Sequence, residues 1–89
     1  MTQICVFTMY GCEHCYLLKK KLRELGIDFY ECPTTDFKEI WDQVVEQVND
    51  DAVPTVYIKT DGSDEGPIYM PGYNVFSEDE MIEKIKSHI

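Results

Sequence analysis

Apolar residues along the chain fall into two rhythms. Ile4-Cys5-Val6-Phe7 is a continuous apolar run, which predicts a strand over Gln3–Thr8 with both faces buried. After the loop Met9-Tyr10-Gly11 the period changes. Leu18, Leu22 and Leu25 recur at helical spacing while Lys19, Lys20, Lys21, Arg23 and Glu24 take the other faces, which predicts a helix over 12–25. Gly26 is a natural stop, and basic residues suit the C-terminal half of a helix. Residues 27–32 read as a second strand, closed by Pro33. Phe37, Ile40, Trp41, Val44, Val45 and Val48 then lie on one helical stripe, opposite Asp36, Glu39, Asp42 and Glu46, and Asn49-Asp50-Asp51 ends it. Thr55–Lys59 is a third strand and 67–70 a short fourth, joined as a hairpin through the turn-rich stretch 61–66. Pro71-Gly72 breaks that strand. Ser77-Glu78-Asp79-Glu80 is a capping box that opens a last helix running to about residue 88 and burying Met81, Ile82 and Ile85.

The order is β-α-β-α-β-β-α. A helix joins the first two strands, so they should run parallel with a right-handed crossover. The expected architecture is α/β, one four-stranded mixed sheet with its three helices spread over both faces. Residues 1–89 read as a single domain.

Composition narrows the function. With 17 acidic against 8 basic residues the formal charge is −9, and no basic stripe tracks phosphates, so nucleic-acid binding is not expected. No apolar run approaches a membrane span, and the first apolar stretch lacks both the length and the basic flank of a signal peptide. The expectation is a cytoplasmic monomer.

In a reducing cytoplasm, cysteines point to redox chemistry or metal rather than to a disulfide scaffold. Cys12-Glu13-His14-Cys15 directly follows the first strand and opens the first helix. Residues three apart on a helix share a face, about 5–6 Å apart between Cβ atoms, close enough to bridge. The helix start supplies unpaired N–H groups and a partial positive charge, both of which stabilise a thiolate at Cys12. Cys15, one turn deeper, is placed to attack a mixed disulfide on Cys12 and release the product. Protonated His14 would favour the Cys12 thiolate and Glu13 would oppose it; His14 reads equally well as a solvent-facing helix residue. Lys19 either adds positive potential or is simply exposed. Structural zinc wants four ligands, and beyond this pair there are only Cys5, Cys32, His14 and His88, scattered along the chain. Cys5 reads as a small buried hydrophobe, and His88 as a solvated residue.

The chain resembles the glutaredoxins of the thioredoxin superfamily over nearly its whole length, in the compact form carried by some bacteriophages. The resemblance rests on Cys12-Glu13-His14-Cys15, on Val53-Pro54 before the third strand and on Pro71-Gly72-Tyr73 after the fourth. It implies a cis bond between Val53 and Pro54, beside the cysteines, that turns the Val53 N–H and C=O toward an extended substrate. It also implies a glutathione site at Pro71, Gly72, Tyr73 and Asn74, with glutathione as reductant or substrate and no tightly bound cofactor. That site is thinned. Pro71 replaces the family's first glycine, Asn74 or Val75 its acid, Ala52 its threonine and Met9 its lysine; Lys38 and Gln43 are candidate replacements. Tyr10 and Tyr73 either flank the thiol groove or pack.

The expected function is a dithiol–disulfide oxidoreductase that reduces a disulfide-containing client protein or glutathione mixed disulfides. Family analogy suggests ribonucleotide reductase as a client. Recharging falls to glutathione or to a thioredoxin-reductase-type donor. Two alternatives belong to other classes: a non-enzymatic thioredoxin-fold binding module, and an iron–sulfur or metal-binding redoxin using Cys12.

Overall fold

The first apolar run forms β1 (Gln3–Thr8) in the interior of the sheet in a computed structural model, which describes residues 2–60 and 66–89. Ile4, Val6 and Phe7 are buried and Cys5 is half-buried, as a strand covered on both faces requires. α1 (Glu13–Glu24) crosses over to β2 (Tyr30–Pro33), which lies parallel to β1 with Cys32 opposite Phe7. α2 (Lys38–Val48) leads to β3 (Thr55–Lys59), antiparallel to β1 on its other side. β4 (Ile68–Tyr69) pairs antiparallel with β3, and α3 (Glu78–Lys86) closes the chain. The sheet order is β2-β1-β3-β4. The fold is thus the expected α/β arrangement, a four-stranded mixed sheet with three helices.

Side-chain alternation along β1 assigns the helices to faces. Ile4 and Val6, with Val56 and Ile58 of β3, pack on Leu18 and Leu22 of α1 and on Met81, Ile82 and Ile85 of α3. Phe7 and Cys32 face the other way and meet Trp41 and Val44 of α2. The Phe7 and Trp41 rings are 5.3 Å apart and tilted, within the favourable range for aromatic pairs. Burial of Leu18 and Leu22 fixes α1 over the sheet, so the start of α1 is held at the C-terminal end of β1.

Several element ends differ from expectation. Cys12 is the N-cap of α1 rather than its first turn. β2 is shorter at its start than the stretch 27–32: Ile27 is buried, yet its N–H bonds to Leu22 O at 2.9 Å to finish α1, so its apolar character serves the core from a turn. β4 is two residues long; Pro67 contributes only its carbonyl, which accepts from Ile58 N at 3.0 Å. The turn expected over 61–66 lies, for its first five residues, outside the described residues. The capping box forms as read: Glu80 N donates to Ser77 Oγ at 3.1 Å, and Glu80 Oε1 reaches back to Phe76 N at 3.0 Å. His88 is more than a solvated residue, because its Nε2 lies 2.7 Å from Tyr69 Oη and ties the end of the chain to β4.

Candidate active site

β1 delivers the chain into a tight turn in which Gly11 has φ +76°, a conformation that costs glycine nothing. Cys12 follows in extended conformation and caps α1. Its Sγ accepts the Cys15 N–H at 3.1 Å, so the sulfur occupies the place of a serine or aspartate oxygen at a helix start. Cys12 and Cys15 are joined as a disulfide, with Cα atoms 5.2 Å apart. Cys12 is half-buried while Cys15 is only 2% exposed, so an incoming sulfur meets Cys12 first. In the reduced form the same N–H and the positive end of α1 favour thiolate over thiol at Cys12.

The remaining two cysteines differ in kind. Burial pushes the Cys32 thiol up to about 11 and raises Cys5 as well, which makes both poor nucleophiles at neutral pH.

Lys19 is tied down by an ion pair with Glu31 of β2 at 2.8 Å, and Thr8 Oγ1 donates to the same carboxylate at 3.3 Å. The Lys19 ammonium holds the Glu31 carboxyl below its usual 4.5, against an opposing contribution from partial burial. A carboxyl depressed in the folded state stabilises the fold above its unfolded pKa and loses that contribution as pH falls through the folded value. Glu31→Gln should therefore lower the urea midpoint at pH 7 by the equivalent of about 1 kcal/mol or less for so exposed a pair. The gap from the parent should close below about pH 4.5. A gap that stays constant down to pH 3 would assign the effect to packing.

Beside the dithiol lies a groove of about 380 Å³ whose walls include His14, Val53, Pro54, Gly72, Phe76 and Met81. The Val53–Pro54 bond is cis, as the resemblance implies. The groove therefore unites six of the residues read from sequence: His14 from the motif, Val53 and Pro54 before β3, and Pro71, Gly72 and Val75 after β4. Gly72 reaches it at φ +83°. Tyr10 and Tyr73, 87% and 53% exposed, lie outside that lining and project into solvent. Asn74, which the resemblance set beside glutathione, ties its own loop: Oδ1 accepts from Met70 N at 3.0 Å and Nδ2 donates to Ile68 O at 2.8 Å. Lys38 pairs with Asp42 at 2.7 Å on the surface of α2, and Gln43 lines a different cleft.

Sequence reasoning missed Phe76. An apolar residue just before an N-cap is expected to fold onto the helix as a hydrophobic staple, yet Phe76 is 76% exposed on the groove wall. Among the described residues no three His, Cys, Asp or Glu side chains converge as metal ligands, and no helix is long and apolar enough to cross a membrane.

Residues 4–62 match the family model described as Glutaredoxin. The chain is 35% identical over 80 residues to the Gene 56 protein of Mycobacterium phage L5, covering 90% of this chain and 72% of the phage protein. A buckwheat glutaredoxin–glutathione complex superimposes with a TM-score of 0.59 over 98% of this chain and 71% of that one, at 19% identity. A wheat glutaredoxin gives a TM-score of 0.58 over 94% and 69%, at 23% identity. At those identities the two plant structures speak for the fold, which is thioredoxin-like.

Proposed function

The chain belongs to the glutaredoxin family and is a thiol–disulfide oxidoreductase, and from that premise we propose that Cys12 is its attacking sulfur and Cys15 its resolving sulfur. The observation that carries this is the Cys15 N–H aimed at the Cys12 sulfur, with the Cys15 side chain itself closed off from solvent.

The Cys12 thiolate attacks one sulfur of a client disulfide. A mixed disulfide forms and the other client sulfur leaves as a thiolate, which takes up a proton. Cys15 then loses its proton and attacks the Cys12 sulfur, expelling the second client thiol. Two electrons have passed to the client, and Cys12 and Cys15 end as the disulfide seen here. The client lies along the groove, with its extended backbone paired to the Val53 main chain and its side chains against Phe76 and Met81. His14 and Gly72 border the reacting sulfurs; Tyr10 and Tyr73 meet the client outside the groove.

Glutathione is the first candidate reductant, and the buckwheat relative is a complex with it. One observation favours a second donor. Asn74 has its amide engaged with the loop main chain, and Pro71 stands where the family has glycine, which thins the glutathione contacts and favours recharging by a thioredoxin-reductase-type flavoenzyme. The protein works as a monomer in the cytoplasm, that of the host if it is phage-borne. It serves electron transport and redox homeostasis, with ribonucleotide reductase as one client.

Cys15→Ser tests the division of labour. The variant should stall after the first exchange and accumulate a covalent client adduct on Cys12, visible by intact mass, while reduction of client disulfides falls to background. Undiminished turnover without an adduct would remove Cys15 from the reaction. Parallel coupled assays, one with glutathione and its reductase and one with the flavoenzyme, identify the donor.

A further inference from the structure

Cys5 and Cys32 take no part in this exchange. Both face the α2 side of the sheet, opposite the face that carries α1. In the parallel register Cys5 lies opposite Tyr30 and Phe7 opposite Cys32, so the two cysteines are diagonal neighbours on adjacent strands. The Cys32 thiol donates to the carbonyl of Tyr30, the residue paired with Cys5, at 3.9 Å, and the two thiols act on each other's ionisation. They lie in the lining of an open cleft of about 1200 Å³ between the sheet and α2, together with Phe37, Ile40 and Gln43.

We propose that Cys5 and Cys32 form a second sulfur site, separate from Cys12 and Cys15, that binds one soft, two-coordinate d10 cation of the Cu(I) or Hg(II) type between two thiolates. The ligand set decides the class. Thiolates select soft cations. Structural zinc would need about four ligands, and among the described residues no third one joins. The spacing agrees. Metal–sulfur bonds of about 2.3 Å in line span roughly 4.6 Å, whereas a disulfide requires sulfurs about 2.05 Å apart. Diagonal partners on a sheet suit the longer bridge, and both cysteines are free thiols here while Cys12 and Cys15 are bonded. The cleft adds an apolar wall from Phe7, Phe37, Ile40 and Val44, and the Lys59 ammonium acts on Cys5, offsetting the negative charge of a Cu(I) bis-thiolate. Binding is a proton exchange without electron transfer: two S–H bonds break, two S–metal bonds form and two protons leave to solvent. Raised thiol pKa values keep the empty pair protonated and out of disulfide exchange.

The test uses the full chain carrying Cys12→Ser and Cys15→Ser, so that Cys5 and Cys32 are the sulfur ligands left. Titration with Hg(II) should saturate at one ion per chain, with a near-ultraviolet thiolate-to-metal band and a native mass increased by one mercury less two protons. Zn(II) should not be retained through gel filtration. Adding Cys5→Ala, and separately Cys32→Ala, should each abolish the bis-thiolate band and the two-proton loss, leaving mercury on one sulfur with an external second ligand; the cooperative thermal transition of each variant reports that it is folded. Saturation at two ions per chain, one on each sulfur, would overturn the proposal. So would a bis-thiolate band with a two-proton loss that survives either alanine substitution, or the lack of any uptake by the double-serine chain.

Discussion

Cys12→Ser should reduce the rate of disulfide reduction by at least about 1000-fold, equivalent to about 4 kcal/mol of lost transition-state stabilisation. A serine hydroxyl does not ionise under conditions in which a capped cysteine does, so the first exchange has no nucleophile. This substitution separates chemistry from folding. Cys12 is the N-cap of α1 and accepts the Cys15 N–H, a task that serine performs well. Against the reduced parent, the urea midpoint should therefore move little while activity disappears. Reduction within tenfold of the parent rate would transfer the attacking role to another sulfur. Parallel loss of the midpoint would mean that Cys12 acts through the helix.

Leu22→Ala should be strongly destabilising, at about 2–5 kcal/mol. Leu22 is fully buried, and it packs in the cluster that joins α1, α3 and the inner strands. Truncation loses the transfer energy of the side chain and leaves a cavity that the sheet cannot collapse to fill. For a domain of this size each kcal/mol moves Tm by about 4–8 °C, so a fall of roughly 8–40 °C is expected by calorimetry. Leu25→Ala is the control. It belongs to the same heptad-like series in sequence, but Leu25 is the C-cap of α1 and 41% exposed, and its removal should cost well under 1 kcal/mol. Equal costs at the two positions would mean that the burial pattern of α1 is not what anchors it.

That pair of leucines shows where local pattern stops informing. Periodicity marks both as members of an apolar stripe. Which of them touches the sheet depends on where the helix ends, and that is set by the Gly26 N–H to Arg23 and the Ile27 N–H to Leu22. The same holds for Phe76, whose neighbours Ser77 and Glu80 form the capping box as read while its own ring stays outside the core. Asn74 has the composition of a ligand-binding residue and is used to brace the β4 turn. Lys19 reads as an exposed or a steering charge, and only the parallel pairing of β1 with β2 brings Glu31 within reach of it.

The sequence by itself determined the order of elements, the hydrophobic face of each helix and the placement of Cys12 and Cys15 at a helix start. Those are local matters: period, capping chemistry and a three-residue spacing act over distances that the chain crosses within a turn or two. Only the tertiary structure decided which distant residues share a site. Val53 and Gly72 meet His14 because β3 lies next to β1 and returns through β4. Cys5 meets Cys32 because the crossover through α1 sets β2 parallel to β1 in one particular register. Register and strand order follow from how both faces of the sheet are covered at once, and no window along the chain contains that information.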